Sequence, residues 1–383
     1  MSGKLLERTM FETSRMLEYF TERELSYQTG HNKSDWPLVV LKELMDNALD
    51  ACENASIPPE IKVELHHSGE QFFTIAVEDN GPGIQSEVIT KILNFQTRTS
   101  DKEAYVSPTR GAQGNALKTV FAIPYVLSTH IPQEGICEVM SNGIQHIIRV
   151  KLDTIKQEPR IEHKQVEIVK KSGCRVAVRL EKTSIPDSFG KGQFLQILSD
   201  YHLFNPHLLF TAKINFLEEG CFEPIFIERS YEATNPSWKK WKPNDFTSPL
   251  WYSTEDLKKL ILSHVALAQD GGKDLTLREF VSQFRGITST AKQKRLTSTL
   301  PKVKRLSDFV TDGDADPSPI SMLLVNMRSL TKPLPPQNLG IIGEEHIRNC
   351  FEGKDAKYSK KMGAKDDIPF VVEVAYIPDD DLE

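Results

Sequence analysis

The sequence has no long apolar run. Nowhere do about 18 apolar residues follow one another, the least a helix needs to cross a bilayer, so no membrane-spanning helix is expected. Its first residues, MSGKLLERTMFETSR, lack the apolar core and small-residue cleavage site of a secretory leader, and a cytoplasmic location is expected. The five cysteines, Cys52, Cys137, Cys174, Cys221 and Cys350, are scattered, odd in number and never in a CxxC pair. That pattern argues against a disulfide framework and against a zinc site, and the thiols are expected as small buried apolar groups. The GxxxxGK[ST] spacing of a P-loop is absent, and no GxGxxG follows the first strand-like run, so neither of those phosphate sites is encoded. No internal repeat is visible. A net charge of −6 does not by itself point to nucleic acid, although basic residues gather in one later segment.

What is present is an ordinary globular composition, 39% hydrophobic and 26% charged, over 383 residues. That length suits about two or three domains. From Trp36, apolar Leu38, Leu41, Leu44, Met45, Ala48 and Leu49 recur at helical spacing, and Ser34 or Asp35 is placed to cap the start. Strand-like runs follow at Ile61 to Leu65 and Phe72 to Val77, the second leading into Asp79-Asn80-Gly81-Pro82-Gly83. Residues 96 to 114 read as a polar loop. Ala116 to Tyr125 reads as a helix that Pro124 would end or distort. Strand signals fill Ile136 to Leu180, with turns at Gly143 and Gly173. This order suggests one sheet covered by helices on one face. A polar connector, PSWKKWKPNDF, precedes a helical region from Thr254 to about Leu306; residues 311 to 318 read as a linker, and strand character returns at Pro369 to Ile377.

Three boxes carry chemistry. Glu43, Asn47 and Asp50 fall near one helical face, because positions four and seven apart overlap. A carboxylate and an amide one turn apart suit a general base for water and an oxygen ligand for Mg²⁺. The same spacing also fits an amphipathic helix with its acidic side in water. The second box, Asp79 to Ile84, runs a strand into a glycine turn: Asp79 can accept from an exocyclic amine while Gly81 and Gly83 let backbone approach a flat base. In the third, Thr109 to Lys118, glycines opening a helix aim backbone N–H groups and the helix dipole at an anion such as a triphosphate.

In this order and spacing the boxes resemble the ATP site of the GHKL family, which includes gyrase B, MutL, heat-shock chaperones and the B subunit of topoisomerase VI. The resemblance implies an α+β chain: a GHKL (Bergerat) ATP-binding α/β sandwich with an ATP lid, followed by a helix-two-turns-helix-like insert and the start of a transducer-like α/β domain. Glu43 matches the catalytic base, Asn47 the Mg²⁺ ligand and Asp79 the adenine-reading carboxylate. Asp50, Gly81, Gly83 and Ile84 join them in the pocket, with Gly111, Gln113, Gly114, Asn115, Ala116, Leu117 and Lys118 at the phosphates. Residues Gln96 to Arg110 match the lid, with Thr97, Arg98, Thr99 and Ser100 as phosphate contacts or plain solvated side chains, and Arg110 and Lys118 as phosphate partners or solvated lid charges. Cys174 stands where the family often has threonine beside adenine, and Asn115-Ala116 where a further glycine is usual.

Beyond the pocket, Phe11 to Gly30 resembles an N-terminal strap. Trp251 to Leu300 resembles the helical insert of the topoisomerase VI B family, and segments Asn338 to Glu345 and Ile368 to Tyr376 resemble the opening of its transducer. The implied domains are 1–228 (ATP-binding, with strap), 229–310 (helical) and 311–383 (transducer-like). The implied function is the ATP-binding and hydrolysing subunit of a type IIB DNA topoisomerase. Two copies would dimerise on ATP and Mg²⁺ to gate duplex DNA passage or cleavage by a separate A-like subunit. A MutL-like or defence-system dimerisation switch that recruits another effector stays open as the alternative. Lys292, Lys294 and Arg295, with Lys239, Lys240 and Lys242 and the interleaved Trp238 and Trp241, suit sequence-independent phosphate contact, with a solvated helical face as the alternative.

Overall fold

The structure, a computed structural model, describes residues 19–68, 71–95, 105–106, 116–153, 155–156, 158–169, 172–181, 191–216, 225–242, 245–311, 313–351 and 355–378. The chain divides into two compact units. The first comprises residues 1–99, 115–200 and 209–232; the second comprises 100–114, 201–208 and 233–383.

The first unit opens with α1 (Glu22–Thr29), whose start is capped by the Thr21 side chain and whose end turns at Gly30 in the left-handed region. Helix α2 (Trp36–Asn54) buries the apolar stripe expected of it, including Leu41, Leu44, Met45, Ala48 and Leu49. Its cap differs from expectation. Asp35 holds the N-cap position without a side-chain bond, because the turn Lys33–Asp35 already leads the backbone in at helical angles.

Strands β1 (Glu60–Ser68) and β2 (Phe72–Asp79) are followed by α3 (Ser86–Ile92) and α4 (Ala116–Leu127). Then come β3 (Gly135–Ser141), β4 (Ile144–Asp153), β5 (Glu158–Glu167), β6 (Cys174–Glu181), α5 (Lys191–Phe204), β7 (Leu209–Phe216) and β8 (Ile225–Tyr231). The strands form one sheet in the order β5-β4-β3-β6-β2-β1-β7-β8, with β1–β7 its parallel pair. Alternation along β2 sends Phe73, Ile75, Val77 and Asp79 inward, where α2 packs, while α4 covers β3 and β6. Arg175 and Glu64 pair at 2.7 Å among the half-exposed positions of the alternate register. One face is helix-covered and the other polar, as the sequence suggests. Pro124 does not end α4, which continues to Leu127 because its flanks are buried nearly all round.

The second unit is helical with two small strand pairs. Helices α6 (Thr254–Gln269) and α7 (Leu277–Ser282) each begin with a reciprocal capping box, Ser253 with Asp256 and Thr276 with Glu279. Then α8 (Thr290–Thr299), β9 (Val310–Thr311), β10 (Asp314–Ala315), α9 (Pro317–Ser329), α10 (Glu344–Cys350), β11 (Lys357–Lys365) and β12 (Ile368–Tyr376) complete it. Residues 311 to 318 are not a plain linker. They contain the β9–β10 bridge and the start of α9, where the Asp316 side chain accepts from the Ser318 amide and Pro317 supplies a preset φ. Leu257, Leu260, Ile261, Phe280, Phe284, Ile320, Leu323 and Met327 form the core. Among the described residues, no helix is long and apolar enough to cross a membrane.

Candidate functional site

Helix α2 presents Glu43, Asn47 and Asp50 along a half-buried side while its opposite face is buried in the core. Burial raises the Glu43 carboxyl above its ordinary value; Lys42, with its ammonium 3.4 Å away, pulls the other way, and Asp46 adds to the rise. A raised carboxylate in a partly desolvated place is suited to taking a proton from water. The Asn47 Nδ2 donates to the Glu43 carbonyl at 2.7 Å. That bond fixes which end of the amide is which, and Oδ1 is the hard oxygen a Mg²⁺ ion takes.

The β2 end is built for close approach. Asp79 is buried, and its Oδ1 accepts from the Gly81 amide at 2.8 Å. A carboxylate offers about four acceptor positions, so this bond does not exhaust it for an amine. Antiparallel pairing sets Asp79 opposite Cys174, and the Gly173 amide donates to the Gly81 carbonyl at 3.0 Å. The second box and the Gly173-Cys174 turn, far apart in sequence, are thus adjacent. A side chain on Gly173 (φ +74°) would force the backbone to shift, since its Cβ would fall on the Asp79 carbonyl oxygen; one on Gly83 (φ +79°) would meet Asn142 Oδ1 at 2.8 Å. Close packing of the two turns against each other is what requires glycine at both positions.

Two supports escaped the sequence reading. Ser141, buried at the end of β3, accepts from the Ile84 amide at 2.8 Å and so holds the glycine turn down. Its signal was a polar residue at an inward strand position beside an Asn-Gly turn. Asn80 accepts from the Glu60 amide at 3.0 Å and the Cys52 thiol at 3.2 Å, and donates to the Pro58 carbonyl at 3.0 Å. It locks the strand exit. Burial pushes the Cys52 thiol up to about 12; Cys52, Cys137 and Cys174 are buried outside any disulfide, as expected, Cys350 is half-buried, and Cys221 lies outside the described residues.

Of the third box, Ala116 and Leu117 open α4, half-buried. Lys118 is buried, and its ammonium donates to the Asn94 carbonyl at 2.7 Å, so it is not a solvated charge; burial lowers its pKa. Thr97, Thr99, Ser100, Arg110, Gly111, Gln113, Gly114 and Asn115 lie outside the described residues.

Residues 32–122, which contain all three boxes and end within α4, match the family described as histidine kinase-, DNA gyrase B-, and HSP90-like ATPase. This segment is a GHKL ATPase domain. The chain is also similar to the B subunit of type 2 DNA topoisomerase 6 from Archaeoglobus fulgidus, 31% identical over 223 residues, covering 57% of this chain and 34% of that protein. The corresponding protein of Thermococcus kodakarensis is 29% identical over 254 residues, 65% of this chain and 42% of that protein. For that of Methanosarcina barkeri the figures are 29% over 206 residues, 52% and 31%. The matched segments thus span about a third of these relatives.

The GHKL domain leaves the basic residues of the second unit to be placed. Lys294 and Arg295 are exposed on α8, whereas the Lys292 ammonium donates to the Gly286 and Leu330 carbonyls at 2.6 and 2.7 Å. The two tryptophans are not available for stacking on bases. Trp241 is buried edge-to-face against Trp251 at 5.3 Å, and the Trp238 indole donates to the Ile341 carbonyl at 2.6 Å while its ring packs on His207. A large ring beside lysines is better buried in the unit's own core than left in water.

Proposed function

We propose that the chain is the ATP-binding and hydrolysing part of a type IIB topoisomerase, of the same kind as the topoisomerase VI B subunit. The observation that carries this reading is the bonding of Asp79, Gly81 and Gly173 into one pair of packed turns, on a GHKL domain whose α2 offers Glu43 and Asn47. Asp79 reads the adenine amine, the third box and the lid hold the triphosphate, Asn47 ligates Mg²⁺, and Glu43 takes a proton from the attacking water. Two copies dimerise on ATP and gate the passage of duplex DNA, or its cleavage by an A-like subunit, in the cytoplasm. Lys294 and Arg295 contact DNA phosphates, with Lys292 bracing the α8 start beneath them. The name of the relatives, at about 30% identity, supports this reading.

The test is light scattering with Mg²⁺ and a non-hydrolysable ATP analogue, followed by purification from the native source. A doubled mass and a copurifying DNA-cleaving protein are expected. A chain that stays monomeric defeats the gate. A nucleotide-dependent dimer that brings down an unrelated effector favours the stand-alone switch.

A further inference from the structure

Within the first unit, where β2 begins and β6 ends, lies a cleft of about 420 Å³ that the nucleotide reading does not use. Asp79 and Cys174 stand at the opposite ends of the same two strands, roughly 23 Å away at about 3.3 Å per residue. Its floor is the polar face of the sheet. Arg179 on β6 and Arg149 on β4 both pair across to Ile136 on β3, so the two side chains flank one isoleucine on one face. Phe72 and, from the loop after α4, His130 and Pro132 complete the lining. The Arg179 guanidinium sits 3.5 Å from the centroid of the Phe72 ring, and the His130 ring leans on the same phenyl at 5.5 Å. Such stacking engages the face of a guanidinium and leaves its in-plane N–H fork unanswered. Among the described residues none accepts a hydrogen bond from Arg179, whose Nε is buried without a partner. The neighbouring acids are engaged elsewhere: Glu181 accepts from four donors of the Ser128–His130 loop, and Glu134 pairs with Arg149 at 3.2 Å and Lys151 at 3.5 Å. A buried charged donor ordinarily meets its acceptor within the fold; here it meets a cleft.

We infer that this cleft is a second binding site, for a small organic carboxylate whose two oxygens take the Arg179 fork and whose apolar body lies against Phe72, Ile136 and Pro132. The planar fork matches a carboxylate with two parallel bonds. Stacking on Phe72 already holds the guanidinium in one orientation, so little side-chain freedom is lost on binding. Glu134 and Glu181 also line the cleft, and their charge opposes a doubly charged phosphate more than a singly charged carboxylate. A volume of about 420 Å³ stands near the lower end of small-molecule sites and suits a single ring.

The experiment is an NMR titration of the full chain that reads the Arg179 Nε–H and Ile136 methyl signals, with the exposed Arg229 as reference. Benzoate is expected to shift both signals saturably with a Kd of about 1 mM. Benzamide, its neutral counterpart, is expected to bind at least about tenfold more weakly, and phenyl phosphate more weakly than benzoate. In Arg179→Met, whose unbranched side chain can still lie on Phe72, the Ile136 methyl should no longer respond to benzoate. Equal binding of benzoate and benzamide by wild type overturns the inference without any substitution. So does a shift at Arg179 no larger than that at Arg229, which marks an adventitious ion only. Phenyl phosphate binding ahead of benzoate overturns the choice of a carboxylate, and an Arg179→Met chain that binds benzoate like wild type overturns the site.

Discussion

Gly173 and Glu43 carry the most informative single-residue consequences. Any side chain at Gly173 meets the Asp79 carbonyl and must hold φ near +74°, so Gly173→Ala is expected to cost about 1–3 kcal/mol of stability and to weaken nucleotide binding. Denaturant melts and titration calorimetry read the two. Glu43→Ala is expected to lower turnover by about 10²-fold or more while sparing nucleotide binding; normal hydrolysis by that variant would remove Glu43 from its role. The wild-type rate should also fall in acid. A base must be deprotonated, and burial raises Glu43 from its ordinary 4.5, so the acid limb of kcat should have its midpoint above that value and be absent from the residual rate of the variant. The placement of these residues was legible because each box is local: four-residue spacing on α2 and glycines directly after β2. Ser141 and Asn80 were harder to see, since their partners lie 57 and 20–28 residues away in sequence.

At the scale of elements, the loop after α4 is organised by one carboxylate. Glu181 on β6 accepts from the Ser128 hydroxyl at 2.5 Å, the Thr129 hydroxyl at 2.6 Å, and the Thr129 and His130 amides at 2.7 and 3.3 Å. Burial alone would raise its pKa, but these donors together hold it below the ordinary 4.5. The folded state therefore binds the proton more weakly than the unfolded chain, and the stabilisation is complete above about pH 4.5 and lost as pH falls through the lower folded value. Glu181→Gln is expected to cost about 2 kcal/mol at neutral pH, with the difference from wild type shrinking in acid; a difference constant down to pH 3 would refute the account. The start of α9 gives a simpler case. Asp316→Ala should cost about 1 kcal/mol through loss of the cap. That helix was hidden because Asp-Pro-Ser-Pro has the composition of a linker, although Asp followed by Pro is equally a helix start. The burial of Trp241 was illegible for another reason: its partner Trp251 and the surrounding core come from residues that only the tertiary fold assembles.

For the whole molecule, the GHKL domain and its single helix-covered sheet could be read from the order of helix, strands, loop and helix. The composition of the second unit could not, since residues 100–114 and 201–208 join it from within the sequence of the first. On the proposed function, Lys294→Glu with Arg295→Glu should weaken duplex DNA binding and reduce the slope of log K against log salt by about 2, with little change in stability because both side chains are exposed. Lys292→Glu should destabilise the second unit as well, since its ammonium holds two carbonyls. The central claim, that Asp79 reads the adenine of ATP, is tested most directly by titrating a non-hydrolysable ATP analogue with Mg²⁺ into wild type and Asp79→Asn. Asparagine keeps an oxygen for the Gly81 amide but turns a donor toward the adenine amine. Wild type should bind and the variant should bind at least about tenfold more weakly; equal affinity, or no binding by wild type, would contradict the account.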